Sequence, residues 1–165
     1  MKKIFDFLKK HKFEIIIVLV TVIYLSFIGQ KVQVDGRSME PTFHDGQYIY
    51  ANKTTRITKD YERYDVIVFH PLGTGNVFIK RIIGLPGETV KIDSEGNIFI
   101  NDELLTEPNA FERMTENVDI EMVLEDDEYF VLGDNRNHSC DSRYSQVGPV
   151  KEKYIIGRCV WKKKL

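Results

Sequence analysis

The chain has 165 residues, enough for one domain, and its 42% hydrophobic and 29% charged residues are typical of a folded protein. Its formal net charge of -2 argues against a nucleic-acid-binding protein, for which a basic surface is expected. The two cysteines form no C-x-x-C pair and the four histidines are scattered, so we expect no metal site and no cofactor. Cys140 and Cys159 could form one disulfide in an extracytoplasmic domain, a question that the sequence leaves open.

The N-terminal segment joins a basic head to an apolar run. Residues 1–12 carry five lysines against one acid, and thirteen of the sixteen residues from 13 to 28 are apolar. A helix needs about 20 apolar residues to cross a bilayer, so this run is short but predicts a transmembrane anchor over residues 13–29. Because lysines favour the cytoplasmic side, we expect residues 1–12 to be cytoplasmic and residues 30–165 to form an extracytoplasmic domain.

Two other interpretations of the apolar run fit the sequence less well. A buried helix of a soluble protein would need apolar partners on all sides, and the rest of the chain contains no other strong helix pattern. A cleavable signal peptide would need small residues at the end of the run, where Phe27 and Ile28 stand instead. We therefore favour an uncleaved anchor.

From residue 30 onward the hydrophobic pattern becomes that of short strands. Val32 and Val34 alternate with polar residues, and further strand-like runs lie at 48–50, 66–69, 77–83, 90–92, 98–100, 129–132 and 154–160. The turn signal Glu95-Gly96 predicts a hairpin, whereas residues 106–127 are acidic and aperiodic and predict a loop-rich segment. Together these features predict a mainly β domain with an antiparallel folded-sheet or barrel-like architecture behind one N-terminal transmembrane helix.

Lys80 lies inside one of the apolar strand runs. Alternate residues of a strand share a face, so Lys80 is expected to point with Phe78 and Ile82 towards the core. Loss of water would lower the pKa of its amine, and a neutral lysine can act as a general base. On the strand alone, an ordinary lysine that reaches solvent at a sheet edge is the simpler interpretation.

Ser38 lies shortly after the apolar run, in a turn bounded by Gly36 and Pro41. An irregular loop of this kind leaves backbone amides free, and the Ser38 amide could donate to an oxyanion. A serine becomes a nucleophile only when a base is beside it, so an ordinary turn residue is the simpler interpretation of Ser38 considered alone.

Residues 133–143 form a third cluster, dense in hydrogen-bonding side chains. An Asp141–Arg143 ion pair is expected to fix the shape of this loop, and the Ser139 hydroxyl could orient the Lys80 amine. Arg136 and Arg143 would repel a cation, which disfavours a metal site. A Ser-His-Asp triad is the main competing arrangement, but the sequence contains no G-x-S-x-G motif to carry it.

Taken together, these clusters resemble type I signal peptidases, the serine–lysine enzymes that remove signal peptides from exported proteins. Ser38-Met39-Glu40-Pro41-Thr42 resembles the nucleophile box of that family, and residues 64–69 with 80–88 resemble the box that carries the base. Residues 133–143 resemble the final box. The order of the boxes agrees over most of residues 30–160, and the short segment between the last two boxes is similar to that of compact, single-anchor Gram-positive members.

The resemblance implies that Ser38 is the nucleophile, Lys80 is the general base and Ser139 hydrogen-bonds to the lysine. It implies that Asp141 and Arg143 brace the site, within a supporting loop that also contains Asp134 and Arg136. It further implies shallow apolar pockets for small residues at substrate positions −1 and −3, beside an extended substrate strand. The matching positions are Val34, Met39, Phe43, Phe78 and Ile79, together with Gly36, which stands where some members carry an oxyanion-binding serine.

The partners implied by the resemblance are signal peptides of exported preproteins, the lipid bilayer and the nearby secretion translocon. A different hypothesis is a non-catalytic, membrane-anchored assembly factor on the same fold, which would be expected to lack the serine or the lysine. A self-cleaving serine–lysine regulator would need a DNA-binding domain, and the basic head of twelve residues is too short to be one.

Overall fold

The computed structural model describes Ile4, Phe7 and residues 9–107, 114–115 and 118–160. Over these residues the chain forms mainly short antiparallel strands. The helices and strands in chain order are α1 (Lys12–Ile28), β1 (Gly29–Gln33), β2 (Tyr48–Asn52), α2 (Thr55–Thr58), β3 (Val66–Phe69), β4 (Phe78–Gly84), β5 (Thr89–Ile92), β6 (Ile98–Ile100), β7 (Glu103–Leu104), β8 (Ile120–Val123), β9 (Glu128–Leu132), β10 (Val150–Lys151) and β11 (Ile155–Cys159). The prediction of a mainly β protein is therefore confirmed.

Helix α1 covers most of the predicted anchor and continues directly into the first strand. Its final residue, Ile28, is followed by Gly29, which has extended backbone angles and begins β1. Helix α1 has 17 residues, and within the described ranges no helix combines the length and apolar character needed to span a membrane.

Two antiparallel sheets make up the rest of the fold. The larger has the order β1-β2-β11-β3-β4-β9-β10, and the smaller has the order β7-β6-β5-β8. Register shifts in β11 between Ile155 and Gly157, and in β4 between Ile82 and Gly84, interrupt the regular pairing of the larger sheet. Such irregularities bend a strand and increase its twist, as in a folded or partly closed sheet.

The strand predictions hold for the long apolar runs, and the hairpin at Glu95-Gly96 is confirmed by the pairing of Ile92 with Ile98. The prediction of a loop over residues 106–127 is wrong in part, because β8 lies within that range and pairs with β5. The residues of β8 are half-buried and exposed in alternation, so their hydrophobic signal is weak in an acidic stretch. Residues 108–113, 116 and 117 lie outside the described residues.

Strand β4 lies at the junction of three hydrophobic clusters. Ile82 belongs to the first, Ile83 to the second and Ile79 to the third. Gly84 ends the strand against the second cluster, where an added Cβ would lie only 2.9 Å from Leu124 Cδ1. Both faces of β4 are therefore covered, which explains its continuous apolar run and places any polar residue on it in a poorly solvated setting.

Candidate active site

Ser38 and Lys80 meet although 42 residues separate them in the chain. The Lys80 Nζ lies 2.7 Å from Ser38 Oγ and 3.0 Å from the carbonyl oxygen of Ile79. Lys80 is only 4% exposed. The interpretation of Lys80 as a solvated edge lysine is therefore excluded, and its side chain lies within proton-transfer distance of a hydroxyl.

The surroundings of Lys80 favour a neutral amine. Burial lowers the pKa of Lys80 from 10.5 to about 8, and the negative charges of Asp141 and Asp134 oppose this effect only in part. The Phe78 ring centroid lies 5.3 Å from Nζ and forms part of the apolar enclosure. Desolvation is the dominant cause, because a charged ammonium loses its hydration there. About a tenth of Lys80 is thus unprotonated at pH 7 and about half at pH 8, far more than for a solvated lysine.

The turn that carries Ser38 is held by backbone hydrogen bonds from the third cluster. The Asn135 backbone N–H donates to Ser38 O at 3.0 Å, and Asn135 Nδ2 donates to Arg37 O at 3.1 Å. Gly36 has a φ of +83°, a conformation that favours glycine, and its N–H donates to Asp45 Oδ1. The Ser38 N–H makes no hydrogen bond to any described residue, so this donor is available to a substrate.

Gly133 lets the loop after β9 approach the nucleophile closely. An added Cβ at Gly133 would overlap the Ser139 side chain and lie 2.6 Å from Ser38 O. Ser139 Oγ is buried and has no hydrogen-bond partner among the described residues. The family resemblance predicts that this hydroxyl forms a hydrogen bond with Lys80. In the structure Ser139 packs against Gly133, and the lysine is hydrogen-bonded to Ser38 and Ile79 instead.

One buried carboxylate joins the three sequence boxes. Asp134 accepts two hydrogen bonds from Arg81, at 2.7 and 2.6 Å, and one from the Thr42 hydroxyl at 2.5 Å. The Arg81 side chain is 14% exposed and that of Asp134 is 1% exposed. Sequence reasoning missed Arg81 and Thr42 as members of the site. The available signal was an arginine next to Lys80 in an apolar strand, since a buried arginine needs an acidic partner.

A second buried ion pair shapes the loop, as its sequence predicts. Arg143 Nε donates to Asp141 Oδ1 at 2.8 Å, and both side chains are almost fully buried. Asp141 also accepts the Gly133 N–H at 3.0 Å, which fixes the glycine that faces Ser38. Arg136 forms a two-point ion pair with Glu107 and donates to Gly133 O at 3.1 Å. Asp141 and Arg136 thus both bond to the backbone of Gly133, and Arg143 holds Asp141 in place.

A cleft of about 210 Å³ opens beside Ser38 and Lys80. Four of the residues expected to bind substrate, Val34, Met39, Phe78 and Ile79, line it. The other two do not: Gly36 lies in the adjoining turn, and Phe43 is fully buried in the cluster that contains Val34 and Met39. Cys140 also lines the cleft, and sequence reasoning did not include it.

The competing arrangements find no support at this site. Ser38 Oγ is hydrogen-bonded to Lys80, whereas His44 lies 3.9 Å from Glu40 Oε1 and His70 Nδ1 lies 2.8 Å from Asn76 O. Within the described ranges, no group of histidine, cysteine or acidic residues is arranged to hold a metal ion. Cys140 and Cys159 are both free thiols.

Comparison with known proteins agrees with this geometry. The model of the family "Signal peptidase, peptidase S26" matches residues 8–162. Signal peptidase I of Bacillus amyloliquefaciens is 36% identical over 152 residues, covering 87% of this chain and 80% of the relative. Signal peptidase I U of Bacillus subtilis is 34% identical over 164 residues, covering 90% of this chain and 87% of the relative.

Among solved structures, a signal peptidase I from Enterococcus faecalis V583 is similar, with a TM-score of 0.51 and 34% identity. The alignment covers 60% of this chain and 96% of that one. The matches extend over the β domain and all three boxes of the sequence. The chain therefore belongs to the signal peptidase S26 family and is a serine peptidase of the signal peptidase I type.

Proposed function

We propose that this enzyme removes N-terminal signal peptides from exported preproteins, with Ser38 as the nucleophile and Lys80 as the general base. The observation that carries this proposal is the 2.7 Å contact between Ser38 Oγ and the amine of a buried lysine. Only a lysine that loses its proton near neutral pH can activate a serine, and the pKa of about 8 meets this need.

Catalysis then follows from the positions of a few groups. Neutral Lys80 accepts the Ser38 proton as Oγ attacks the scissile carbonyl, and the resulting ammonium gives that proton to the departing amine. Lys80, neutral again, takes a proton from the water that attacks the acyl-enzyme and returns this proton to Ser38 Oγ as the acyl–oxygen bond breaks. The free Ser38 N–H donates to the oxyanion in both steps, an interaction worth about 3–4 kcal/mol per donor in other hydrolases. Asp141, Arg143, Asp134 and Arg136 act as positioning residues.

The cleft accounts for the proposed preference for small residues at −1 and −3. The wall residues Val34, Met39, Phe78 and Ile79 bound an empty space of about 210 Å³, which the −1 and −3 side chains of a substrate would share. Segments 33–35 and 77–79 both line it, so an extended substrate between them would alternate its side chains into and out of the cleft.

A preprotein cleavage assay tests this function. Replacing alanine by phenylalanine at −1 of the substrate is expected to lower kcat/KM at least about 100-fold, because the cleft must also hold the −3 side chain and leaves little room for a phenyl ring. The matched control is phenylalanine at −2, which alternation directs away from the cleft and which should be cleaved at nearly the unmodified rate. Equal cleavage of the −1 and control substrates would contradict the proposal.

The cleavage rate is also expected to depend on pH. The active form of Lys80 is the unprotonated one, so kcat/KM should rise about tenfold per pH unit below 8 and level off above the pKa of about 8. A peptide substrate without titrating side chains near the cleavage point removes contributions from the substrate. A profile that stays flat from pH 5 to 9 is incompatible with Lys80 as the base.

We also propose that α1 is the core of a membrane anchor over residues 13–29, with residues 1–12 cytoplasmic and residues 30–165 extracytoplasmic, near the secretion translocon. Apolar side chains along α1 are exposed, among them Ile17 at 64% and Val20 at 59%, and lipid would remove this surface from water. The exposed thiol of Cys140 provides a test. Labelling by an impermeant reagent only after cell lysis would contradict this topology.

A further inference from the structure

A second cavity, of about 470 Å³, lies outside the catalytic cleft. Its walls come from Gln30 on β1, from residues 53 and 56 beside and within α2, from His70 after β3, and from residues 153–156. It shares no lining residue with the cleft beside Ser38. The catalytic mechanism therefore gives this cavity no role.

The charged side chains that line this second cavity are all basic. Lys53, Arg56 and Lys153 line it together with His70, and none of its lining residues is acidic. Within the described part of the chain, none of the three basic side chains forms an ion pair, although Lys153 lies over the Tyr154 ring. By contrast, the nearby Lys59 pairs with Glu152 at 2.7 Å. Like charges that face one cavity repel one another, so this arrangement favours an anion between them.

Backbone hydrogen bonds and close packing hold the wall of the second cavity in place. The His70 N–H donates to Tyr154 O at 3.0 Å, which ties the end of β3 to the residue that precedes β11. Gly73, with a φ of +71°, packs against the Tyr154 ring, and an added Cβ would lie 2.8 Å from that ring. Neutral hydrogen-bonding groups of Gln30, Thr74 and Tyr154 are also present in the lining. Charged and neutral donors thus line one cavity that is open to solvent on one side, a lining that suits a phosphate group.

The second cavity also lies at the end of α1. The Lys53 N–H donates to the carbonyl of Ile28, the last residue of that helix, at 2.7 Å. The partial negative charge of a helix C-terminus is about half an elementary charge, so it balances only a fraction of the three basic side chains. If α1 lies in the bilayer, the cavity is at the depth where lipid headgroups meet water.

We propose that this basic cavity binds the phosphate of an anionic phospholipid headgroup. The proposal rests on the membrane anchor proposed above. The chemistry that the cavity recognises is a phosphate, which a lipid or a free phosphate ion could supply. The position at the end of α1 favours the lipid, because the headgroup layer presents phosphates at high local concentration.

Thermal unfolding of the full-length protein in mixed micelles tests the proposal. Phosphatidylglycerol in non-ionic detergent is expected to raise the Tm by about 3–5 °C over the same detergent with phosphatidylcholine. Lys53→Glu should reduce this shift to less than about 1 °C, and Lys53→Gln should give an intermediate shift. Lys91→Glu, with the same change of net charge on the smaller sheet, is the matched control and should retain the full shift.

The possible results distinguish a lipid headgroup from a free phosphate ion, and they test the cavity separately from the proposed peptidase function. An equal shift with millimolar inorganic phosphate alone would overturn the lipid as the ligand, and an unchanged shift in Lys53→Glu would overturn the site itself. Preprotein cleavage in phosphatidylcholine micelles is expected to be the same for the wild type, Lys53→Glu and Lys91→Glu. A wild type that cleaves no preprotein would count against the proposed function and leave the lipid-dependent shift to be judged separately.

Discussion

Replacing Lys80 by methionine is expected to lower kcat/KM for preprotein cleavage by at least about 10⁴-fold. Methionine keeps an unbranched apolar stem of similar length in the same buried position, but it cannot accept the proton of Ser38. Ser38→Ala is expected to have an effect of at least the same size, because it removes the attacking oxygen. The measurement is steady-state cleavage at pH 8, and Lys91→Met, on the smaller sheet, is the control that should cleave normally.

The same replacement of Lys80 is expected to stabilise the fold at pH 7. Because the pKa of Lys80 falls from 10.5 to about 8 on folding, the unfolded chain binds its proton more tightly. This costs about 2–4 kcal/mol of folding free energy at pH values below 8, and the cost disappears as the pH rises towards 10.5. Methionine removes it, so urea unfolding at pH 7 should show a higher free energy of unfolding. Near-normal cleavage by Lys80→Met would contradict the role of the lysine.

Replacing Asp134 by alanine is expected to lower the free energy of unfolding by about 3–5 kcal/mol. The change leaves the Arg81 guanidinium, 14% exposed, without both of its carboxylate bonds and leaves the Thr42 hydroxyl without its acceptor. Removing one partner of a buried pair is costly because the remaining charge stays desolvated. Urea unfolding measures the effect, and cleavage should fall as well, since Thr42 and Ser38 share one turn.

Glu121→Ala is the matched control for Asp134→Ala. It also removes a carboxylate paired with a basic side chain, but Glu121 lies 3.7 Å from Lys91 on the solvent side of the smaller sheet and is 63% exposed. Its expected cost is below about 1 kcal/mol. The double variant Arg81→Met with Asp134→Leu should recover much of the loss, because no charge is then left buried alone. Equal destabilisation by Asp134→Ala and Glu121→Ala would contradict the proposed importance of this pair.

The sequence predicts the long apolar strands well, because strands such as β3 and β4 are buried on both faces and need no partner information to be recognised. It misses β8, whose half-buried and exposed residues alternate in an acidic stretch. Strand pairing is a long-range property. Strand β8 pairs with β5, which lies far from it in the chain, and a local hydrophobic pattern cannot predict such a pairing. The division of the strands into two sheets depends on pairings of this kind.

The candidate site was predicted through the order of the three boxes rather than from single residues. Ser38 and Lys80 each favoured an ordinary interpretation when considered alone, and only their joint context indicated a pair. The alternation of side chains along β4 correctly predicted that Lys80 lies on the same face as Phe78 and Ile82. It did not predict that other hydrophobic clusters also cover the opposite face of the strand. The partner of Arg81 is 53 residues away. A local pattern cannot identify it, and the same holds for Cys140 at the cleft.

The burial of Lys80 on β4 has a consequence for the time at which the newly made protein becomes reactive. In an unfolded chain the pKa of this lysine is near 10.5, so the amine is protonated at neutral pH and Ser38 has no proton acceptor. The amine loses its hydration only after β3 and β9 have paired with β4 from its two sides. Strand β9 lies late in the chain, so Ser38 gains its proton acceptor only when most of the fold has formed. A chain that has not yet added β9 to the sheet is therefore expected to lack an activated serine.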